Sequence, residues 1–302
     1  MFDCCKKHYQ DLVKSKGIDA AFEDLKARYD KDPYVMSQCH PLTHAIGYQA
    51  ASLFSTVSEA YLHGDSYCWS GYYHGILEGA IARIGAKDLP SKLESICADM
   101  PDRPRYGFNY YNCVHGLGHG IMELESDEVF VSLKMCDYLS GSYERQSCWS
   151  GVFMENIIAY NRDGFSQYLK KDKPLYPCTD VGDEYKGQCY LGQTSYALQE
   201  NGYNFSKIFP LCATLDQPYR DICNQSAGRD AAGSTNDDPA RTKMNCDFAK
   251  DSSDRKNCIV GAVKDLISYF HGVKQATVYC DLYDGEYKST CHTTADAYFA
   301  AL

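Results

Sequence analysis

The sequence predicts an all-α protein made of tandem αα-hairpin repeats, each stapled by a disulfide. Three observations carry that prediction. Sixteen cysteines fall mostly in evenly spaced pairs; the pairs recur every 33 to 41 residues; and the segments around them carry apolar residues at helical spacing.

The cysteines come first. From residue 136 onward they pair as Cys136/Cys148, Cys178/Cys189, Cys212/Cys223, Cys246/Cys258 and Cys280/Cys291, and Cys97/Cys113 is a looser version. Ten or eleven residues separate the members of each close pair, and no C-x-x-C occurs, so the spacing of structural zinc knuckles and of c-type haem attachment is missing. The pattern suits covalent bridges and places the protein in an oxidising compartment, extracellular or periplasmic. Bridging within each pair ties the end of one hairpin to the start of the next. The rival arrangement spans one hairpin, for example Cys189 with Cys212, and spacing leaves it open. A loop of this size stabilises by about 3 kcal/mol in the chain-entropy model. Local pairing leaves Cys4, Cys5, Cys39 and Cys68 to tie the N-terminal helix to the first two units, with the adjacent Cys4 and Cys5 as the place for a labile bond.

The period is the second observation. Stacked helical hairpins recur at such intervals. Cys178, Val181, Tyr185, Cys189 is echoed by Cys212, Leu215, Tyr219, Cys223 and by Cys280, Tyr283, Tyr287, Cys291. Glycine follows the second cysteine at the third place in Gly71, Gly116, Gly151, Gly192 and Gly261.

Helical spacing is the third. Ile259, Val260, Val263, Leu266, Ile267 and Phe270 form one apolar face after Cys258, closed by Gly272 as a C-cap. Pro218 fits a first helical turn with Asp216 as its cap, and residues 238–249, opening Asp-Asp-Pro, give a shorter second helix. The polar stretch from Gly233 to Asp238 reads as a loop. Each unit is thus a longer helix carrying the second cysteine, a turn, and a shorter helix ending near the next first cysteine. The expected organisation is a single domain over 1–302, with a cap in 1–35, a histidine- and glutamate-bearing part in 36–160 and scaffold in 161–302, curved into a solenoid or partial toroid.

Bulk properties narrow the function. A net charge of −10 without a basic face argues against nucleic acid, and no apolar run is long enough to span a bilayer. The opening Met1-Phe2-Asp3-Cys4-Cys5-Lys6-Lys7 has no apolar stretch of a signal peptide, so an exported protein would have lost its leader already.

Aligning the long helices by their cysteines exposes the one chemical clue. Counting from the cysteine, the sixth place holds His74, His119 and Met154, with His44 one place out of register; the second holds His115, with His40 as its shifted counterpart; the tenth holds Glu78 and Glu123. These offsets stack on one helix face, so neighbouring helices would present rows of histidine and glutamate. Later units put Ser195, Arg229, Lys264 and Ala297 at the sixth place, and the row dissolves. A His-x-x-x-His pair sets two imidazoles on one side of a metal ion, and a carboxylate one turn on completes a mixed set. His40, His44, His74, His115 and His119 are therefore the candidate ligands for a transition metal, zinc, copper or iron, in one site or two. Glu78, Glu123 and Glu155 are the candidate catalytic carboxylates. Gly75, Gly116, Gly118 and Gly120 would make room for close helix contact or for a bound group. Ser70 and Ser150 read as small residues replacing His115 in its row. His8, His63, His271 and His292 lie outside the pattern. Asn204-Phe-Ser and Asn224-Gln-Ser match the glycosylation acceptor pattern.

The leading expectation is metal-dependent chemistry, hydrolytic or redox, on a small-molecule or peptide substrate in a cleft of the first half. The alternative is a non-enzymatic extracellular module that recognises a protein, peptide or glycan on its concave face.

Overall fold

The computed structural model describes residues 2–65, 67, 68, 70–235 and 238–301, with the side chains of residues 162 and 163 also left undescribed; Trp69 and part of the predicted Gly233–Asp238 loop lie outside. The described residues form helices joined by turns and loops, with no strand beyond an isolated bridge between Lys170 and Lys173. The chain divides into two compact units, Met1–Ile158 and Ala159–Leu302.

The first unit opens with α1 (Phe2–Lys16), α2 (Ile18–Tyr29) and the short α3 (Pro33–Ser37), which starts where Asp32 accepts from the amides of Tyr34 and Val35 ahead of Pro33 at the first helical position. Long and short helices then alternate: α4 (Cys39–Ala50), α5 (Val57–Tyr61), α6 (Gly71–Ile84), α7 (Leu89–Ile96), α8 (Phe108–Leu124), α9 (Val129–Cys136) and α10 (Ser142–Asp163). α1 packs on α4, α4 on α6 and α6 on α8. Leu42, Ile46, Ile76, Leu77, Ile81, Leu117 and Ile121 fill the seams and are fully buried.

The second unit continues the alternation with α11 (Asp183–Glu200), α12 (Ile208–Cys212), α13 (Tyr219–Gly233), α14 (Pro239–Cys246), α15 (Ser252–Phe270), α16 (Lys274–Cys280) and α17 (Gly285–Ala301). Its long helices pack in chain order, α11 on α13, α13 on α15 and α15 on α17. Ile259, Val263, Leu266 and Ile267 of α15 meet Ala276 and Tyr279 of α16 in its core. Asp238 and Asp251 cap α14 and α15 through their side chains, the first as the Asp-Asp-Pro opening suggests.

Seven disulfides form, and the six predicted pairs all close locally. Cys97, Cys136, Cys212, Cys246 and Cys280 each stand at the end of a short helix and reach the following long one. The N-terminal expectation is corrected. Cys39 bonds Cys68, a pair 29 residues apart that spans α4 and α5, while Cys4 and Cys5 are free thiols and do not tie α1 to anything. Adjacent helical residues point about 100° apart, which disfavours a bond between those two.

Two helix ends also differ from expectation. His271, not Gly272, takes the left-handed conformation after α15, and α13 begins at Tyr219 with Pro218 in the cap position without a side-chain cap from Asp216. Asn224 is buried and donates to Asp254, so it cannot accept a glycan, whereas Asn204 is exposed.

Candidate metal centre

Four helices of the first unit meet around five imidazoles. His40 and His44 lie one turn apart on α4, and His115 and His119 repeat that spacing on α8. His74 comes from α6 between them. Its ring stacks on His119 at 4.2 Å between centroids and sits edge-on to His44 at 5.3 Å and His40 at 5.6 Å. His119 and His74 are buried with 0% and 4% of their surface exposed, and His44 and His115 are buried as well. Ligand nitrogens of His40, His44 and His74 lie within 4.8 Å of one another, and those of His74, His115 and His119 do the same.

Close helix packing makes this possible. A Cβ on Gly75 of α6 would stand 2.0 Å from the His44 carbonyl oxygen, and one on Gly151 of α10 would stand 2.0 Å from that of His115. Across the second contact, a Cβ on Gly118 would meet the Cys148 oxygen at 2.2 Å. Gly116 and Gly120 let α8 settle on Leu77 and Ile81 of α6. Helix contact, rather than space for a bound group, thus accounts for the glycines predicted to crowd the histidines.

Backbone contact brings polar side chains of α6 and α10 within reach of the imidazoles. His44 donates through Nδ1 to Glu78 Oε1 at 2.5 Å, and His119 donates through Nδ1 to Glu155 Oε2 at 2.7 Å. His40 Nδ1 donates to the Cys68 carbonyl at 2.8 Å. His115 Nδ1 lies 2.8 Å from Ser150 Oγ, whose own proton goes to the Ser147 carbonyl at 2.7 Å, so the hydroxyl accepts from the imidazole. Carbonyls and carboxylates accept only. All four Nδ1 atoms therefore carry the proton, and in the neutral rings all four Nε2 atoms are bare lone pairs.

Those lone pairs face one another. His40 and His44 Nε2 are 3.0 Å apart, and His115 and His119 Nε2 are 3.1 Å apart. Such an approach is repulsive unless a proton or a cation lies between. Two nitrogens bound to one ion at about 2.0–2.1 Å sit roughly 2.9–3.4 Å from each other at octahedral or tetrahedral angles. Nδ1 fixed by carboxylate, carbonyl or hydroxyl with Nε2 turned inward is also the outer-shell arrangement of metal-ligating histidines. The residues fit a transition metal.

Electrostatics point the same way. Burial, reinforced by His44, lowers the pKa of His40 to about 3, and burial lowers that of His115 to about 4. Burial and the neighbouring imidazoles hold His74 and His119 well below the usual histidine range. His44 moves up: burial opposes its charge, but the Glu78 carboxylate outweighs it, and Glu78 moves down because of His44. Most of the cluster is neutral at physiological pH, the state that binds metal.

All five predicted histidines come together, though as one cluster instead of separate rows. Glu78 and Glu155 are at its edge as hydrogen-bond acceptors. Glu123 is exposed on α8, where its charge still raises the His44 pKa. Met154 is more than a third exposed. Sequence reasoning missed the role of Ser150, which is not a spacer but the acceptor for His115; Tyr111, one of the tyrosines the sequence places near the histidines, stacks its ring on His115 at 5.4 Å. The signal for Ser150 was available: it occupies the same place after its cysteine as His115 does after Cys113, on the adjoining helix.

Comparison with known protein families, curated proteins and solved structures found no match. No described helix is long and apolar enough to cross a membrane.

Proposed function

We propose that this chain is an extracytoplasmic metalloprotein, and specifically a metal-dependent enzyme whose zinc, copper or iron is held by His40, His44, His74, His115 and His119. The observation that carries the reading is the pair of short Nε2–Nε2 separations between rings whose Nδ1 protons are already committed. A metal bound there would act as a Lewis acid or redox centre. Glu78 and Glu155 would orient His44 and His119 and raise their basicity. Glu123, exposed on the α8 turn after His119, would take or give the proton of the substrate. Seven disulfides support an oxidising location.

Elemental analysis of the purified protein, followed by titration of the chelator-treated form with Zn(II), Cu(II) and Fe(II), tests the metal. Stoichiometric binding is expected, and binding of none of them removes the reading. Turnover of ester, phosphoester and peptide substrates, and consumption of dioxygen or peroxide, tests the enzyme. Activity should vanish on chelation and return with one metal.

The burial of the imidazoles favours a second reading. A fully enclosed His119 suits a metal that staples α4, α6, α8 and α10 in a non-enzymatic module recognising a protein, peptide or glycan. There the metal would raise stability while every activity assay stayed at background.

A further inference from the structure

We infer that the centre holds two metal ions, with the His74 imidazole bridging them. This rests on the proposed metal site and specifies its nuclearity.

The donor atoms separate into two triads, His40/His44/His74 and His74/His115/His119, and only His74 belongs to both. Each triad contains one His-x-x-x-His pair with Nε2 atoms about one ligand–ligand distance apart. Each pair has its own carboxylate, Glu78 for α4 and Glu155 for α8. The α4 and α8 pairs are thus each equipped to hold an ion.

His74 differs from the other four in a way that suits a bridge. Their Nδ1 atoms are engaged by acceptors. His74 Nδ1 is buried and has no hydrogen-bond partner. Leaving a buried ring nitrogen unpaired is costly, and the groups packed around this ring are other imidazoles. Its ring lies between the two pairs, 5.3 Å from His44 and 4.2 Å from His119 between centroids. With neither nitrogen committed to the protein, each is free for one ion.

The proton balance is simple. The first ion takes the lone pair of neutral His74. When the second binds, the remaining N–H proton of that ring passes to solvent, and the imidazolate offers a lone pair to each ion. No change of oxidation state is involved.

Cu(II) is the probe, because an imidazolate bridge couples two d⁹ ions. The metal-free full-length chain is titrated with Cu(II), freed of excess by gel filtration, and measured for copper content and integrated electron paramagnetic resonance intensity. Two coppers per chain are expected, with far less spin than two independent ions would give. His74→Gln should restore full spin per copper or lose an ion. His115→Ala, which leaves the α4 pair intact, should hold one uncoupled copper, and circular dichroism checks that both variants fold. Saturation at one copper in the parent chain overturns the two-ion inference and leaves the metal site standing. Two coppers with full, uncoupled spin overturn the bridge. No bound copper, zinc or iron removes the metal reading itself.

Discussion

Substituting Gly151 by alanine tests the contact on which the centre depends. In a helix interior, alanine is favoured over glycine by about 1 kcal/mol, so propensity alone makes Gly151→Ala stabilising. The packing opposes it. The new Cβ would stand 2.0 Å from the His115 oxygen, 3.0 Å from its carbonyl carbon and 3.2 Å from the Gly118 Cα. Ordinary contact begins at 3.4 Å, and every obstructing atom is backbone. The seam has little slack, because Gly118 makes the reciprocal close contact with Cys148 and Val152 and the Cys136–Cys148 bond ties the start of α10. Overpacking of this kind costs about 1–3 kcal/mol, and more where rigid backbone must move, so a net loss of about 2 kcal/mol is expected. Gly192 is the control. It occupies the same place after its cysteine but meets nothing within 4 Å, so Gly192→Ala should gain up to about 1 kcal/mol. The assay is urea unfolding with disulfides intact, followed by metal titration. Gly151→Ala should also weaken metal binding, since Ser150 and Glu155 flank it on α10 and would be drawn away from His115 and His119. If the two variants change stability alike, helices α8 and α10 do not approach this closely, and the argument that fixes the Nδ1 protons fails with them.

Other outcomes follow from the same geometry. Glu155→Gln and Glu78→Gln keep side-chain size but remove the charge behind His119 and His44; each should weaken metal affinity about 10–100-fold, measured by chelator competition, with the fold unchanged by circular dichroism. The metal-free protein should lose stability as pH falls below about 6.5, because the unfolded chain protonates histidines that the folded chain keeps neutral. With folded values of about 3 and 4, His40 and His115 each cost roughly 3 kcal/mol by pH 4, and His44, shifted the other way, partly offsets this. A flat stability profile between pH 6.5 and 4 in chelator-treated protein would contradict that assignment. Replacing both Cys39 and Cys68 by alanine should cost about 3–4 kcal/mol and weaken metal binding, since the Cys68 carbonyl holds His40, while the same change at Cys280 and Cys291 should cost about 3 kcal/mol and leave metal binding alone. Thiol titration of the denatured, unreduced chain should find two reactive groups, Cys4 and Cys5.

Much of the fold was legible because cysteine spacing and helical periodicity are local. Cys246 and Cys258 flank a turn between two helices, and the residues between them are too few to place those cysteines elsewhere. Cys39 and Cys68 escaped the pattern because their bridge runs from the start of α4 to the residues just before α6, with the whole of α4 and α5 between them. For the site, register on each helix picked out histidines that the fold brings together, but rows assume evenly spaced axes. Gly75 and Gly151 draw α6 onto α4 and α10 onto α8; the one-turn spacing on α4 and α8 makes two tight pairs, and His74 of α6 falls between them. That compression also decides between carboxylates. Glu155 reaches His119 because α10 lies against α8, whereas Glu123 is one turn beyond His119 on the same helix and faces out. Interhelical distance is a tertiary quantity, and the glycines that set it were visible only as a loss of helix propensity.

The second unit separates the scaffold from the chemistry. Gly228 and Gly261 bring α13 and α15 together as Gly118 and Gly151 do α8 and α10: Cβ atoms there would meet the Cys258 and Gln225 oxygens, each at 1.9 Å. Gln225 therefore stands where His115 stands, since each offers its carbonyl to the facing glycine, and Arg229 follows it by four residues as His119 follows His115. What surrounds them is a different kind of network. Gln225 accepts from Lys264 and donates to Asn257, and Arg229 donates to Ser195, Asp230 and the Leu191 carbonyl. Fixed cations satisfy the acceptors in the second unit, so the lone-pair conflict of the first does not arise. The glycine-mediated approach and the local disulfide are thus common to both units, and neither requires histidine. Histidines facing each other with their Nδ1 protons committed are confined to the first unit. The backbone arrangement that the second unit surrounds with arginine and lysine is surrounded in the first unit by imidazole nitrogens, and that difference is what the proposed metal site rests on.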